Sequence, residues 1–589
     1  MSTFPPFETL TELFDQAVGH YGERPAFGAL RGGAWWWLSY DELAAQVTRC
    51  RAALASMGVG RGDRVAIICS NRLEWVVAAH ATYQRRAIFV PMAEAQLESE
   101  WKYILADSGA KVCFAGGANV AARVNVLRED LLDLQHIVNL DGHARDPSAF
   151  TNVLAASADR DIKARAPRPT ELATIIYTSG TTGEPKGVRL THRNLAAQTH
   201  AMAESRDYGE APRSMGFLPW AHVFGGHVEL NLMMALGGAV AICENTDQLY
   251  AEMPRVHPTL LYAVPRIWTQ LYYDIQRALS EQPEMSRHMF DDGIRLMQRQ
   301  RDGETLKLTE RIYLNMARKL VISKIKARLG NQLRFAFSGA APLPREVAEF
   351  MHNIGVTIYE GYGLTESSGS STSNPTDAPR FGSVGKPLGD VRIELDPSIE
   401  EAEEGEGEII LYGPSLMQGY HGRAESGAGV ITDKGGLRTG DLGRIDDDGY
   451  LWITGRVKDL YKLNSGRYIA PAPLEEQLRL SPFIADCMIY GAGQPYNVAL
   501  IVADMPALQA YLRRPDVPAE DLLRERETRR LYDNEVLKHS RNFRTYELVR
   551  NFWLVAEPFT QENGMLTPTH KLRRRKVLKR YEARLKSLY

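Results

Sequence analysis

Short β-branched runs alternate with helix-like stretches through the first three-quarters of this chain. That alternation constrains the fold more than composition does. Arg64-Val65-Ala66-Ile67-Ile68 reads as a strand, and Glu74-Trp75-Val76-Val77-Ala78-Ala79 opens a helix. Ala87-Ile88-Phe89-Val90 and Lys111-Val112-Cys113-Phe114 read as further strands. Strands joined by helical crossovers pair in parallel, so the pattern predicts parallel α/β sheets. At 589 residues the chain is too long for one ordinary core. About 150 residues per domain gives roughly four structural units. Met285 to Leu329 reads as mostly helical, a set of surface helices, and the strand Leu333-Arg334-Phe335-Ala336-Phe337 follows it. The acidic stretch Glu400 to Glu408 reads as a solvated turn before the strand Glu408-Ile409-Ile410-Leu411-Tyr412. Beyond Gly455 the composition shifts to strand-like Asp486–Tyr490 and Ala499–Val502 followed by charged helices. A domain boundary is expected near Gly455–Lys458.

The formal net charge is −2, which does not fit a nucleic-acid binder. The five cysteines are scattered, with no C-x-x-C pair, so neither zinc nor a disulfide framework is expected. A reducing, cytoplasmic compartment fits that usage. Met1 to Phe14 has no basic region followed by an apolar stretch, and no signal peptide is expected. The most apolar stretch, Val228 to Cys243, is interrupted by Glu229 and Asn231 and is too short and polar to span a membrane. Peripheral membrane contact stays compatible with these features.

The richest chemistry lies in Tyr177-Thr178-Ser179-Gly180-Thr181-Thr182-Gly183-Glu184-Pro185-Lys186-Gly187, after the strand-like Ala173-Thr174-Ile175-Ile176. Glycines let backbone N–H groups approach an anion closely. The Ser and Thr hydroxyls can wrap phosphate oxygens, and Lys186 adds a positive charge. The run predicts a phosphate-holding loop but not a Walker A loop, because Gly187 rather than Ser or Thr follows the lysine.

Four further motifs follow. In Tyr359-Glu360-Gly361-Tyr362-Gly363-Leu364-Thr365-Glu366 an aromatic ring between glycines can lie against a planar base. Thr365 there can bond a phosphate oxygen, and Glu366 is a hard oxygen ligand suited to Mg²⁺. Thr439-Gly440-Asp441-Leu442-Gly443 offers an acceptor for ribose hydroxyls, or simply a closed turn. Gly455-Arg456-Val457-Lys458-Asp459 sits at the expected boundary, where Arg456 could reach ribose or phosphate. Asn563-Gly564-Met565-Leu566-Thr567-Pro568-Thr569-His570-Lys571 opens a basic segment reaching Arg580. That segment reads equally as a solvated helix face or as attraction for CoA phosphates or anionic lipid.

In this order the motifs resemble the adenylate-forming superfamily over nearly the whole chain. Leu218-Pro219-Trp220-Ala221-His222-Val223-Phe224-Gly225, the helical insert before Ser338-Gly339-Ala340-Ala341-Pro342-Leu343, and the Leu-Thr-Pro-Thr-x-Lys ending resemble the long-chain fatty acyl-CoA synthetases. His570 precedes the final lysine, where relatives acting on smaller acids usually carry glycine. The resemblance implies a large N-terminal domain, residues 1–455, of α/β subdomains with a small β-barrel-like subdomain. It also implies a small mobile α+β C-terminal domain, residues 456–589.

It further implies ATP, Mg²⁺ and CoA as co-substrates and cofactor, with a medium- or long-chain fatty acid as substrate. Thr178, Ser179, Gly180, Thr181, Thr182, Gly183 and Lys186 would cradle the β- and γ-phosphates. Glu366 with Thr178 would hold Mg²⁺. Gly339, Ala340, Ala341, Gly361, Tyr362 and Gly363 would line the adenine site, Asp441 and Arg456 the ribose, and Thr365 the α-phosphate. Lys571 would bridge the reacting carboxylate and the α-phosphate. His222 would border the acyl site. Lys458 matches the hinge, and the Lys462 to Gly466 loop would approach the thiol tunnel. Trp220, Val223, Phe224 and Tyr262 are candidate acyl-pocket walls, each equally suited to packing. A homodimer is compatible with these features. The alternatives are a ligase that loads a separate acyl carrier protein and a nucleotide- or acyl-binding protein without catalysis. No fused carrier domain is apparent after Lys571, and intact Glu366, Asp441 and lysines argue against the non-catalytic reading.

Overall fold

The runs dominated by apolar residues become central strands. The computed structural model describes residues 5–117, 119–178, 184–244, 246–301, 303–399, 404–423, 429–567 and 572–589. Ile88–Met92 is buried throughout, and Arg64–Ile68 is buried beyond its first residue, as strands covered on both faces require. They lie in a six-stranded sheet ordered His136–Asn139, Ala110–Ala115, Arg64–Ile68, Ile88–Met92, Leu172–Thr178, Lys186–Thr191. Neighbours pair in parallel except the last two strands, which form an antiparallel hairpin. The helix Glu98–Ser108 crosses between strands and ends on Gly109, whose φ of 60° is the left-handed cap that glycine adopts without strain.

A second sheet, Ala34–Ser39, Pro25–Arg31, Ala239–Ile242, Arg213–Gly216, is parallel apart from its first hairpin. The third has parallel Leu260–Ala263, Phe335–Ser338 and Thr357–Tyr362, continued by two short antiparallel strands. The strand expected from Leu333 begins at Phe335, because the Arg334 and Phe335 N–H groups both donate to the Thr259 carbonyl before the ladder starts. The part expected to be barrel-like is built on an antiparallel sheet of Arg392–Asp396, Gly407–Tyr412, Leu437–Ile445 and Leu451–Arg456.

The stretch from 285 to 329 is helical as expected: Glu284–Arg301, Leu308–Ala317, a π-helical turn Arg318–Ile322, and Ser323–Arg328. Gly293 lets the first two helices touch, since a Cβ there would lie 2.8 Å from that of Ala317. The small C-terminal domain has its own sheet, Ile484–Tyr490, Asn497–Ala503 and Val549–Val555, with a separate apolar cluster on each face. The chain therefore has the mixed α/β fold expected, with a large N-terminal and a small C-terminal domain. All five cysteines are buried as free thiols. Among the described residues no helix is long and apolar enough to cross a membrane.

Candidate active site

The Leu172–Thr178/Lys186–Thr191 hairpin sets the first half of the site. Thr178 and Lys186 are cross-strand partners, so the loop between them leaves and returns at one point. Ser179, Gly180, Thr181, Thr182 and Gly183 lie outside the described residues. The segment 417–421 runs along the free edge of the second strand. Arg189 N donates to Gly419 O (3.1 Å), and His421 N donates to Gly187 O (2.7 Å). This pairing carries Tyr420 under Lys186, whose Nζ lies 5.0 Å from the ring centroid, a cation–π distance. The Tyr420 hydroxyl donates to Glu366 Oε1 at 2.8 Å, and Met417 N donates to Glu366 O at 2.8 Å. Thr178, Lys186, Tyr420 and Glu366 thus share one mouth. Tyr420 was not among the residues expected from sequence; the Gly419-Tyr420 pair is the trace it leaves there.

The second half is a triple. The Tyr362 hydroxyl donates to Asp441 Oδ2 at 2.8 Å, and Arg456 Nε donates to Asp441 Oδ1 at 2.6 Å. Asp441 and Arg456 are opposite residues of adjacent antiparallel strands. Burial, and next the Asp441 carboxylate, push the Tyr362 phenol well above its ordinary value, so it remains a donor. Tyr362 and Glu366 are four residues apart, and this short segment joins the triple to the phosphate mouth. The glycines around Tyr362 are there for close approach. A Cβ on Gly363 would lie 1.5 Å from Gly369 O, and one on Gly361 2.8 Å from Thr372 O.

Gly339 and Ala340 leave the strand Phe335–Ser338 beside this segment, and Ala340 has φ 72°, a left-handed conformation costly for a non-glycine residue. The nearest atoms to a Cβ on Gly339 would be Gly361 O and Phe224 Cζ, both at an unstrained 3.6 Å, and Phe224 Cε1 at 3.8 Å. The protein itself does not require glycine there. Gly339→Ala is therefore expected to change stability by less than about 1 kcal/mol. Its KM for ATP or the acid should rise about tenfold, since a clash of only about 1.4 kcal/mol with a bound ligand suffices. Thermal melts and AMP-release kinetics would check this. A melting loss with unchanged KM would assign the glycine to packing.

The acyl-side residues divide. Trp220 packs into the core edge-on to Phe27 and Trp75, with centroids at 6.1 and 5.7 Å. Tyr262 stacks on Phe337 (4.6 Å) and meets Phe224 edge-on (5.7 Å) at the end of the third sheet. Val223 precedes a π-helical turn, Phe224–Glu229, a rare element frequent at functional sites. Gly226 allows it, because a Cβ would lie 2.0 Å from Trp220 O. Asn71, missed by sequence, clamps the loop: its Nδ2 donates to Gly216 O and Leu218 O, and its Oδ1 accepts from Trp220 N. His222 caps the same turn, accepting from Gly226 N at 2.8 Å through its carbonyl.

Glu229, also missed, is fully buried and accepts from Ser214 Oγ at 2.8 Å. Burial pushes its carboxyl up to about 8, and burial pushes His80 and His192 down to about 3 and His227 to about 4. Between 4.5 and about 8 the folded chain keeps a Glu229 proton that the unfolded chain has lost. Stability therefore falls as pH rises through that window. From 6.5 down to about 3 the unfolded chain binds imidazole protons that the folded chain refuses, so stability falls again on the acid side. Glu229→Gln is expected to flatten the loss of Tm on the alkaline side while leaving the acid limb unchanged. Identical alkaline slopes in melts from about pH 5 to about pH 8.5 would refute the buried proton.

The remaining expected residues are more distant. Lys462 and Gly466 belong to a two-stranded ribbon in the C-terminal domain, where Lys462 Nζ lies over Tyr468 at 4.9 Å; this position does not join the site just described. Lys458 lies exposed in the short turn Val457–Asp459 after the last strand of the antiparallel sheet. Lys571 lies outside the described residues. Two residues on, Arg573 pairs with Glu100 at 3.1 Å. Glu100 stands on the helix Glu98–Ser108, whose Asp107 accepts from the Tyr177 hydroxyl at 2.6 Å beside the phosphate hairpin.

Residues 14–421 match the AMP-binding enzyme family, and residues 458–589 match the AMP-binding enzyme C-terminal domain. Among curated proteins, the long-chain-fatty-acid--CoA ligase FadD15 of Mycobacterium tuberculosis is 31% identical over 584 residues, covering 95% of this chain and 93% of that protein. The peroxisomal long chain acyl-CoA synthetase 7 of Arabidopsis thaliana is 29% identical, covering 97% and 85%. Among solved structures, the adenylation domain of a carboxylate reductase from Mycobacterium chelonae superposes with TM-score 0.79 at 23% identity, covering 99% and 91%. ATP-bound MatB from Rhodopseudomonas palustris superposes with TM-score 0.72 at 22% identity, covering 97% and 99%.

Proposed function

The chain belongs to the AMP-binding enzyme family, and from that premise we propose that it is an ATP-dependent fatty acyl-CoA ligase acting on medium or long chains. The observation that carries this reading is the joining of the Lys186–Tyr420–Glu366 mouth to the Tyr362–Asp441–Arg456 triple by one short segment. On this reading the first would take the triphosphate and the second the nucleoside.

A carboxylate is a poor electrophile, and ATP corrects that. The fatty carboxylate oxygen attacks the α-phosphorus, the bond to the β-phosphate oxygen breaks, and pyrophosphate leaves. The CoA thiolate then attacks the acyl carbon of the mixed anhydride, and AMP leaves with the former carboxylate oxygen. Catalysis of this kind rests on positioning and charge stabilisation. Asp441 accepts from the ribose hydroxyls, and Arg456 holds Asp441. Lys186 and the hydroxyl of Thr178 hold phosphate oxygens, with Thr365 at the α-phosphate. Lys571, two residues before the Arg573–Glu100 contact that tethers this segment near the hairpin, bridges carboxylate and α-phosphate.

Mg²⁺ fits the donor set present, since Glu366 and Thr178 offer hard oxygens at the phosphate mouth. Glu366 and Thr178 would hold the ion, with substrate phosphates supplying further oxygens. When bound, the ion neutralises phosphate charge. The acyl chain enters past Val223 and Phe224 toward Tyr262. Residues 456–589 form the unit that turns about Lys458 between the two half-reactions.

The test is AMP release with ATP, Mg²⁺ and acids from acetate to oleate, with and without CoA. CoA-dependent turnover rising with chain length supports the ligase. Adenylate without thioester would transfer the second step to a separate acyl carrier protein. No reaction with any fatty acid would overturn the substrate class.

A further inference from the structure

The helical insert hides one face and presents another that soluble helices rarely carry. In Leu308–Ala317 and the π-helical turn Arg318–Ile322, Leu314, Ala317 and Val321 are buried. On the opposite face Leu308, Ile312, Met316 and Leu320 recur every four residues and are 74%, 55%, 46% and 48% exposed. Four large apolar side chains in one outward stripe are not the scattered singles of an ordinary surface. Arg311 and Lys319 stand on the same outward face, both exposed and without an ion pair among the described residues. Residues 307–328 contain seven basic residues and one acidic residue, in a chain of net charge −2. The acid, Glu310, is turned inward to Arg299 at 2.8 Å.

We propose that this face docks peripherally on an anionic lipid bilayer, with Leu308, Ile312, Met316 and Leu320 in the headgroup–acyl boundary and Arg311 and Lys319 on lipid phosphates. An apolar stripe bordered by cations is the pattern of a helix lying in the membrane interface. A second copy of the chain fits less well, because a two-fold contact would oppose the same basic residues. The insert is also close to the acyl side. Phe290 of the helix Glu284–Arg301 meets Phe350 at 6.0 Å, and Phe350 meets Tyr272 at 4.9 Å on the helix Pro265–Ser280, which follows the Tyr262 strand. Docking there would place the site beside the phase in which a long-chain acid resides.

Co-sedimentation of the full chain with vesicles tests this, comparing pure phosphatidylcholine with a mixture containing phosphatidylglycerol. Binding is expected to the anionic vesicles and to weaken in high salt. Arg311→Gln with Lys319→Gln should reduce it about 25-fold, at about five-fold per charge lost. Leu308→Ser with Ile312→Ser should reduce it about tenfold or more. Melting temperature and octanoate-dependent AMP release control for folding, and the binding readout stands whether or not acyl-CoA is made. No anionic-vesicle binding, or binding undiminished from wild type in both variants, overturns the proposal. So does a wild-type dimer that the leucine variant dissolves in sedimentation velocity, which would make the face a self-interface.

Discussion

Asp441→Ala is expected to lower kcat/KM for ATP by roughly 10²- to 10⁴-fold, with most of the loss in KM. Two hydroxyl-to-carboxylate hydrogen bonds to ribose are worth about 1.5–3 kcal/mol each, and such bonds are made in the ground state and the transition state alike. A uniform-binding contact raises KM and leaves kcat nearly intact. The variant also removes the acceptor shared by the Tyr362 hydroxyl and Arg456 Nε. Leaving those donors unpaired should cost about 1–3 kcal/mol of stability. Asp441→Asn separates the two effects. It keeps the shape and one carbonyl acceptor, so stability should recover further than ATP affinity. Calorimetric titration with AMP reads the ribose contact without chemistry. Unchanged AMP affinity in both variants would mean that Asp441 only closes its turn.

The parts of this architecture written locally were readable from sequence. Arg64–Ile68 and Ala110–Ala115 announce themselves because every position but Arg64 and Lys111 is suited to burial. The glycines of Gly361-Tyr362-Gly363 announce a close approach because no other residue fits it. What was missed depends on pairings distant in the chain. Tyr420 matters only because its segment lines the edge of Lys186–Thr191, more than two hundred residues earlier. Asn71 clamps a loop about 145 residues away through backbone groups, which carry no sequence signal. Glu229 looked like a polar interruption of an apolar run, and only the fold reveals a buried carboxyl beside Ser214, pushed upward by its burial. Trp220 shows the converse. Its neighbours in sequence left pocket wall and packing equally open, while its neighbours in space, Phe27 and Trp75, pack it into the core.

Lys458→Pro is expected to separate the half-reactions, slowing thioester formation about 10²-fold or more while leaving adenylate formation within a few-fold. Lys458 is exposed, in the short turn that follows Leu451–Arg456 and precedes the ribbon Tyr461–Lys462. Few restraints fix that turn: Leu460 N donates to Arg456 O, and the next regular element is two residues long. Proline would lock φ near −65° and forbid any large rotation there. In this structure Arg573 is held on Glu100, at the helix that also anchors the hairpin through Asp107, while Lys462 is apart from the phosphate mouth. Under the proposed function this arrangement suits the step assigned to Lys571, so a frozen turn should preserve that step. The second step, as proposed, would take another orientation, which a lock near the present one denies. Single-turnover measurement of acyl-AMP, then of its decay on adding CoA, reads the two steps separately. If both fell equally, the proline would be disturbing the fold or the site itself, and rotation about Lys458 would no longer explain how one cleft serves two reactions. Arg573→Ala offers the opposite bias. Loss of the Glu100 contact should weaken adenylation more than thioester formation, and the ratio of the two rates should move in opposite directions in the two variants.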